Sequence, residues 1–203
     1  MLTIYGVHRS RATRNLWLAG ELGIPFKQVP VTQPYRAHAA PIHSRSPEFL
    51  KINPNGHVPA VDDDGLVLFE SLAINLYLAK KHGGPLAPAD LAEDAQMTMW
   101  SIWAITEVEG RAIEVMRDPK AATSAIEALK APFAVLEAAL AKTGYLVGGR
   151  FTAADINVAE CVRYASAATA LFDGAPNVRK WLAACQARPA FKEMWATRDK
   201  EPA

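Results

Sequence analysis

Cysteine is nearly absent from this chain. Cys161 and Cys185 are the only two. They lie far apart in sequence that reads as helix, so a disulfide framework or a Cys-x-x-Cys site is excluded. Both thiols read as buried structural groups of a protein kept in a reducing cytosol. An excess of one charge is also missing. Lys and Arg number 22 against 21 for Asp and Glu, so no broad basic field favours nucleic acid and no basic tail favours a membrane surface. No run of about 18 uncharged apolar residues occurs, so no membrane span is expected. The start, MLTIYG, reads as a strand without the charged-then-apolar layout of a signal peptide, and a cytoplasmic protein is expected. GxSxG, the P-loop and GxGxxG do not occur, which leaves hydrolase-elbow and nucleotide readings without support. His8, His38, His43, His57 and His82 show no ligand spacing, so no metal is expected. Asp62, Asp63 and Asp64 precede Gly65 without the alternating ligands of a calcium loop, and read as a solvated hairpin turn.

What is present is enough apolar material for a core, half of the 203 residues. Along residues 1–82 the pattern alternates. Leu2 to Tyr5 reads as a strand and Arg11 to Leu22 as a helix stopped by Gly23 and Pro25. Phe26 to Val31 reads as a second strand, parallel to the first because a helix joins them. SPEFLKIN reads as a short helix with Ser46 as N-cap and Pro47 at its first position. PAV, the turn DDDG and LVLF form a hairpin, and a helix runs from about Ser71 to His82. Two glycines and two prolines make HGGPLAPAD a linker. Beyond it the spacing is helical: Leu91 to Arg117 as one long helix with Leu91, Ala95, Met99, Ile102 and Val108 near one face, then Ala121 to Lys142, Thr152 to about Ala170, Pro176 to Ala187 and Phe191 to Thr197. The fold class is thus α/β plus all-α, with a mixed domain at 1–82, a linker at 83–91 and an all-helical C-terminal domain at 92–203.

Pro59 is the odd residue, since proline cannot donate to a strand ladder. It makes sense if the Val58–Pro59 bond is cis, which turns the Val58 backbone outward and frees its N–H and C=O to pair with an extended peptide. The alternative is a trans proline at an edge. Glu70-Ser71, at a strand-to-helix junction, adds a complementary pair: the helix start and the Ser71 hydroxyl suit a carboxylate, Glu70 an ammonium. FTAADI carries a capping box, Thr152 with Asp155 three positions on, which reads as folding and not chemistry.

Four segments together, SRATR, NPNGHVP, LFES and FTAADI, resemble the glutathione transferase family, in order and at family spacing over nearly the whole chain. The resemblance implies a thioredoxin-like N-terminal domain that binds glutathione as co-substrate, a C-terminal helical bundle that forms the pocket for a small apolar electrophile, and a homodimer. In serine-type members the activating serine lies four residues before the arginine of the first helix, a spacing that Ser10 and Arg14 keep. Tyr5 is the rival donor, as in classes that use tyrosine, but it falls inside the strand. A cysteine-type mechanism is excluded, since no cysteine precedes residue 161. Arg9 and Arg11 flank Ser10, either as solvated groups or as positive potential near the sulfur.

For the rest of glutathione the resemblance implies Glu70 and Ser71 at the γ-glutamyl end, Val58 with Pro59 at the cysteinyl backbone, and His57 and Arg45, which stand where relatives often carry glutamine and lysine. Arg45 would suit the glycine carboxylate. For the electrophile pocket the candidates are Tyr35, Trp103 and Glu107, with Trp100 on the same helix face and core packing as the other reading of both tryptophans. The site admits conjugation, reduction of peroxides or disulfides by the same thiolate, or binding without turnover.

Overall fold

The computed structural model describes residues 1–202, without the side chains of residues 37 and 39. The chain divides into two compact units, residues 1–81 with 189–203, and residues 82–188.

The first unit is built on strands β1 (Leu2–Tyr5), β2 (Phe26–Val29), β5 (Ala60–Asp63) and β6 (Leu66–Phe69) in the order β2-β1-β5-β6. Helix α1 (Thr13–Leu22) makes the crossover that leaves β1 and β2 parallel, as expected, while β5 runs antiparallel to β1 and to β6. Its first regular residue is Thr13 rather than Arg11, because residues 10–12 are spent in a turn closed by the Ser10 carbonyl. The expected second strand breaks at Pro30, and Val31–Thr32 (β3) pairs instead with Ile42–His43 (β4) in a separate ribbon. Proline has no N–H with which to carry the ladder on. Helix α2 (Pro47–Leu50) starts after Ser46, but the Ser46 hydroxyl accepts from the His43 N–H at 3.1 Å instead of capping the helix.

The hairpin β5–β6 turns through Asp64 and Gly65, with φ of 54° and 92°. Two successive positive φ values give the twist of a type I′ loop, which Asp-Gly suits. The acidic run is not all solvated, however. Asp63 is buried and receives Lys81 Nζ at 2.5 Å and the Tyr77 hydroxyl at 2.9 Å, which ties β5 to helix α3 (Ser71–His82).

The second unit holds α4 (Leu91–Trp103), α5 (Gly110–Arg117), α6 (Thr123–Thr143), α7 (Ala153–Val162), α8 (Thr169–Asp173) and α9 (Pro176–Gln186). Every residue of α7 is buried, the mark of a central helix. Its capping box forms: the Asp155 carboxylate accepts from the Thr152 N–H at 2.9 Å and also from Trp181 Nε1 at 2.9 Å. The expected single helix over 91–117 carries a π turn at residues 104–109 between α4 and α5. Its buried side is Met97, Trp100, Ser101, Ala104 and Val108, whereas Leu91, Met99 and Ile102 are exposed. These three lie in α4 ahead of the π turn, so the error is one of phase: Met99 and Ile102 flank Trp100 and Ser101, which turn inward.

Helix α10 (Pro189–Lys200) departs from the expected division at residue 92. It belongs to the first unit, where Phe191 packs edge-on against Trp17 of α1 with ring centroids 4.9 Å apart. Gly20 permits the approach: a Cβ there would lie 3.3 Å from Ala190 Cβ. No helix among the described residues is long and apolar enough to cross a membrane.

Candidate active site

One rim of the sheet collects most of the candidate residues. β1 and β6 end there and β5 begins there. Tyr5 is opposite Ala60 and Ala60 opposite Phe69, so Gly6, Pro59 and Glu70 are the next residues out on the three strands. The Val58–Pro59 bond is cis. Neither the N–H nor the C=O of Val58 bonds to another described residue.

Gly6 sets the spacing at this rim. Its φ is +151°, and a Cβ there would lie 2.7 Å from Ala12 Cβ, 3.6 Å from Ser10 Oγ and 3.8 Å from Val58 Cβ. Only a residue without a Cβ lets the start of α1 and the segment before Pro59 close on β1. Ser10 and Val58 are thereby brought together. Sequence reasoning passed over Gly6, although a single glycine directly after a strand marks a close backbone approach.

Ser10 is half-buried, and its hydroxyl donates to the Val7 carbonyl at 2.6 Å and accepts from the Ala12 N–H at 3.1 Å. The amide at the helix start thus points at the Ser10 oxygen, and the one proton of the hydroxyl rests on a carbonyl. Tyr5 turns elsewhere. It packs against the cluster of Val31, Phe49, Val58 and Ala60. Burial, with Asp62 adding to it, raises its phenol above the ordinary value.

At the next strand end Glu70 is exposed and adopts φ +70°. A left-handed non-glycine residue is an outlier with a cost of about 1–3 kcal/mol, and such residues gather at functional sites. The Glu70 carbonyl accepts the Ile74 N–H at 3.0 Å, so α3 starts directly from the strained residue. Ser71 is buried, and its hydroxyl accepts from Arg14 Nη1 at 3.0 Å. That leaves the Ser71 proton to be donated.

Arg14, read from the sequence only as a spacing mark, is 1% exposed. Beside it Asn15 Nδ2 donates to the Ser71 carbonyl at 2.9 Å and to Asn75 Oδ1 at 2.7 Å, and Asn75 Nδ2 to the Arg14 carbonyl at 3.2 Å. The first turn of α1 and the first turn of α3 are therefore one polar assembly. Neither asparagine stood out in the sequence, since a buried asparagine on a helix looks like any polar residue until its partner is known.

Arg45 lies across the turn before Val58. A Cβ on Gly56, itself at φ +62°, would be 2.8 Å from Arg45 Nη1. The Arg45 guanidinium is exposed and makes no ion pair among the described residues. His57 is exposed and gives its carbonyl to Asn53 Nδ2 at 2.8 Å. Of the two flanking arginines, Arg9 spends its Nε on the Glu201 carbonyl at 2.9 Å, and Arg11 is exposed. Tyr35 is 78% exposed, in a 3₁₀ turn of the first unit. Trp103 and Glu107 belong to the second unit, Trp103 edge-on to Trp100 at 5.0 Å and Glu107 exposed beside Arg111.

Residues 1–80 match the glutathione S-transferase N-terminal domain and residues 106–184 the glutathione S-transferase C-terminal domain. Glutathione S-transferase 3 of Zea mays is 34% identical, over 95% of this chain and 92% of its own. The chain belongs to the glutathione S-transferase family. As a member it is an enzyme, a glutathione transferase. Glutathione transferase F7 from Populus trichocarpa superimposes with a TM-score of 0.83 at 27% identity, covering 98% of this chain and 99% of its own. A theta-class glutathione S-transferase from Xanthomonas axonopodis pv. citri, solved with glutathione bound, does so at 0.77 with 30% identity, covering 95% of each chain. These neighbours share the thioredoxin-like and helical halves of the fold.

Proposed function

We propose that the rim of the first unit binds glutathione and that Ser10 activates its thiol for attack on small apolar electrophiles. The observation that carries this reading is the convergence at Gly6 of the Ser10 hydroxyl and Val58, whose backbone groups have no partner among the described residues. A cysteinyl residue paired with Val58 would bring its sulfur toward Ser10. Glu70 would take the γ-glutamyl ammonium and Ser71, backed by Arg14, its carboxylate. Arg45 would take the glycine carboxylate, with His57 beside it.

The chemistry needed is a shift of one proton equilibrium. An ordinary thiol with pKa near 8.5 is only about 3% thiolate at pH 7, and lowering that by two units takes roughly 2.7 kcal/mol of preferential thiolate stabilisation. The Ser10 hydroxyl supplies a charge-assisted hydrogen bond once it turns from the Val7 carbonyl to the sulfur, and the Ala12 N–H polarises it. The thiol proton leaves to solvent, sulfur forms a bond to the electrophilic carbon, and the leaving group departs with its electron pair.

Tyr35, Trp103 and Glu107 are the candidates for the electrophile side. The working form is a cytoplasmic homodimer, for which light scattering should give twice the 22.0 kDa of one chain. Steady-state rates with a chlorinated nitroarene and with cumene hydroperoxide, at fixed glutathione, test the assignment. Conjugation should exceed peroxide reduction. The reverse order would make the thiolate a reductant, and glutathione binding without either activity would remove catalysis.

A further inference from the structure

The segment that carries Ser10 is held in place by the far end of the chain. Glu201 follows α10, and its carboxylate accepts from the His8 N–H at 2.9 Å with one oxygen and from the Arg9 N–H at 2.9 Å with the other. The first oxygen also lies 2.9 Å from His8 Nδ1. Arg9 Nε donates to the Glu201 carbonyl at 2.9 Å. From the other side Arg36 donates Nη1 to the Arg9 carbonyl at 3.0 Å and Nη2 to the Pro202 carbonyl. Gln28 Nε2 donates to the Gly6 carbonyl at 2.9 Å.

The backbone between β1 and α1 has no ladder of its own. The amide and carbonyl of Arg9, the residue before Ser10, both end on side chains brought from distant segments. Half-buried backbone groups still need partners, and here two charged side chains supply them. Partial burial alone would raise the Glu201 carboxyl, but the His8 ring, the His8 N–H and the Arg9 N–H outweigh it and hold it below the ordinary range. The group is therefore a carboxylate throughout neutral pH.

We propose that Glu201 is a positioning residue for the reaction: it fixes the peptide before Ser10 and with it the direction of the Ser10 hydroxyl. The proposal rests on the reading of Ser10 as the donor to the thiol. The strap is polar rather than part of the apolar core. A cavity of about 170 Å³ lies under it, lined by Val7, Pro30, Thr32, Arg36, Glu201 and Pro202. Thr32 is fully buried there, with no hydrogen-bond partner for its hydroxyl among the described residues. Releasing Glu201 removes hydrogen bonds from the Ser10 segment and costs some stability as well, so the thiol pKa and the split between kcat and KM, rather than the thermal midpoint, carry the test.

Glu201→Ala, Glu201→Gln and Arg36→Ala, with Ser10→Ala as reference, test this in the full chain. The readouts are thiolate absorbance of bound glutathione against pH, kcat and KM for glutathione, and the thermal midpoint. Glu201→Ala should raise the thiol pKa and lower kcat about three- to tenfold with KM changed less than about twofold, as expected for a misplaced catalytic group. Glu201→Gln, which keeps an acceptor but loses the charge, should fall between. If Glu201→Ala does not fold, Arg36→Ala, which frees the same peptide from the other side, should show the same shift. An unmoved thiol pKa in these variants beside a raised one in Ser10→Ala overturns the strap and leaves the function standing. An unmoved pKa in Ser10→Ala itself removes the serine assignment and the strap with it.

Discussion

At the scale of single residues, Ser10 and Tyr5 differ in what their hydroxyls can reach. Ser10 sits beside Gly6 and Val58 at the open rim, while Tyr5 is packed toward Phe49 with its ring centroid 6.3 Å away. Ser10→Ala should raise the pKa of the bound thiol by roughly one to two units, the equivalent of a charge-assisted hydrogen bond of about 1.5–3 kcal/mol. Glutathione affinity should stay nearly intact. Tyr5→Phe should leave the thiol pKa where it is, and the opposite pattern would mean that the tyrosine is the donor. Ser71→Ala should instead weaken glutathione binding by about 1–3 kcal/mol, because the γ-glutamyl carboxylate would lose the hydroxyl assigned to donate to it. Calorimetry with unchanged affinity would take Ser71 out of the site. The cis Val58–Pro59 bond was legible in the sequence, since a proline at the start of a strand is out of keeping with its element. Ser10 was picked out by its resemblance to the serine-type family pattern, and Glu70-Ser71 by its place at a strand-to-helix junction. Gly6, Arg14, Asn15 and Asn75 were not singled out as site residues, because their roles depend on partners up to 61 positions away.

At the scale of elements, two carboxylates tie the helical unit together and titrate in opposite directions. Glu93 takes both Arg150 terminal nitrogens, at 2.9 and 2.7 Å, while Arg150 also holds the Pro85 and Ala87 carbonyls. This fastens the linker to α4. The hydrogen bond from Arg150, with that from the Ala89 N–H, holds the Glu93 carboxyl at about 2. Its stabilisation is complete above its ordinary value of 4.5 and is lost as pH falls toward 2. Asp155 behaves the other way. Burial pushes its carboxyl up to about 6 from an ordinary 3.8, against the donors Thr152, Trp181 and Leu146. Between those values the folded chain binds the proton more tightly than the unfolded one, so this group's contribution falls as pH rises from about 4 to about 6, by on the order of 2–3 kcal/mol. Urea unfolding across pH should therefore show that Asp155→Asn flattens the slope between pH 4 and 6, and that Glu93→Gln loses its deficit only below about pH 4. Equal displacement of either variant at all pH values would contradict these assignments. The capping box itself was legible as Thr-x-x-Asp, a local pattern. The Trp181 bond to Asp155 was not, because it spans 26 positions. Nor was the π turn, which leaves the sequence period almost unchanged.

At the scale of the whole molecule, the expected boundary near residue 83 is crossed by the returning chain. The first unit is made of two segments, 1–81 and 189–203, because α10 covers α1. Trp17 is fully buried and Phe191 is 6% exposed, so neither could be covered without the other. Composition and spacing identify α10 as a helix, but they carry no information on which of two apolar surfaces it covers. Phe191→Ala should destabilise the first unit by about 3–5 kcal/mol, the usual cost of emptying a buried aromatic site. Trp17 fluorescence would report the loss, provided the other tryptophans are replaced by phenylalanine. The stronger test is a fragment. Residues 1–82 alone contain every residue assigned to glutathione but lack the helix that buries Trp17, so they should give no cooperative thermal transition and no glutathione binding by calorimetry. Joining residues 1–81 to 189–203 through a flexible Gly/Ser linker of about 15 residues, with a root-mean-square span of roughly 20 Å, should restore a cooperative transition. A stable, binding-competent 1–82 fragment would show that α10 is an accessory cover and that the N-terminal segment folds on its own.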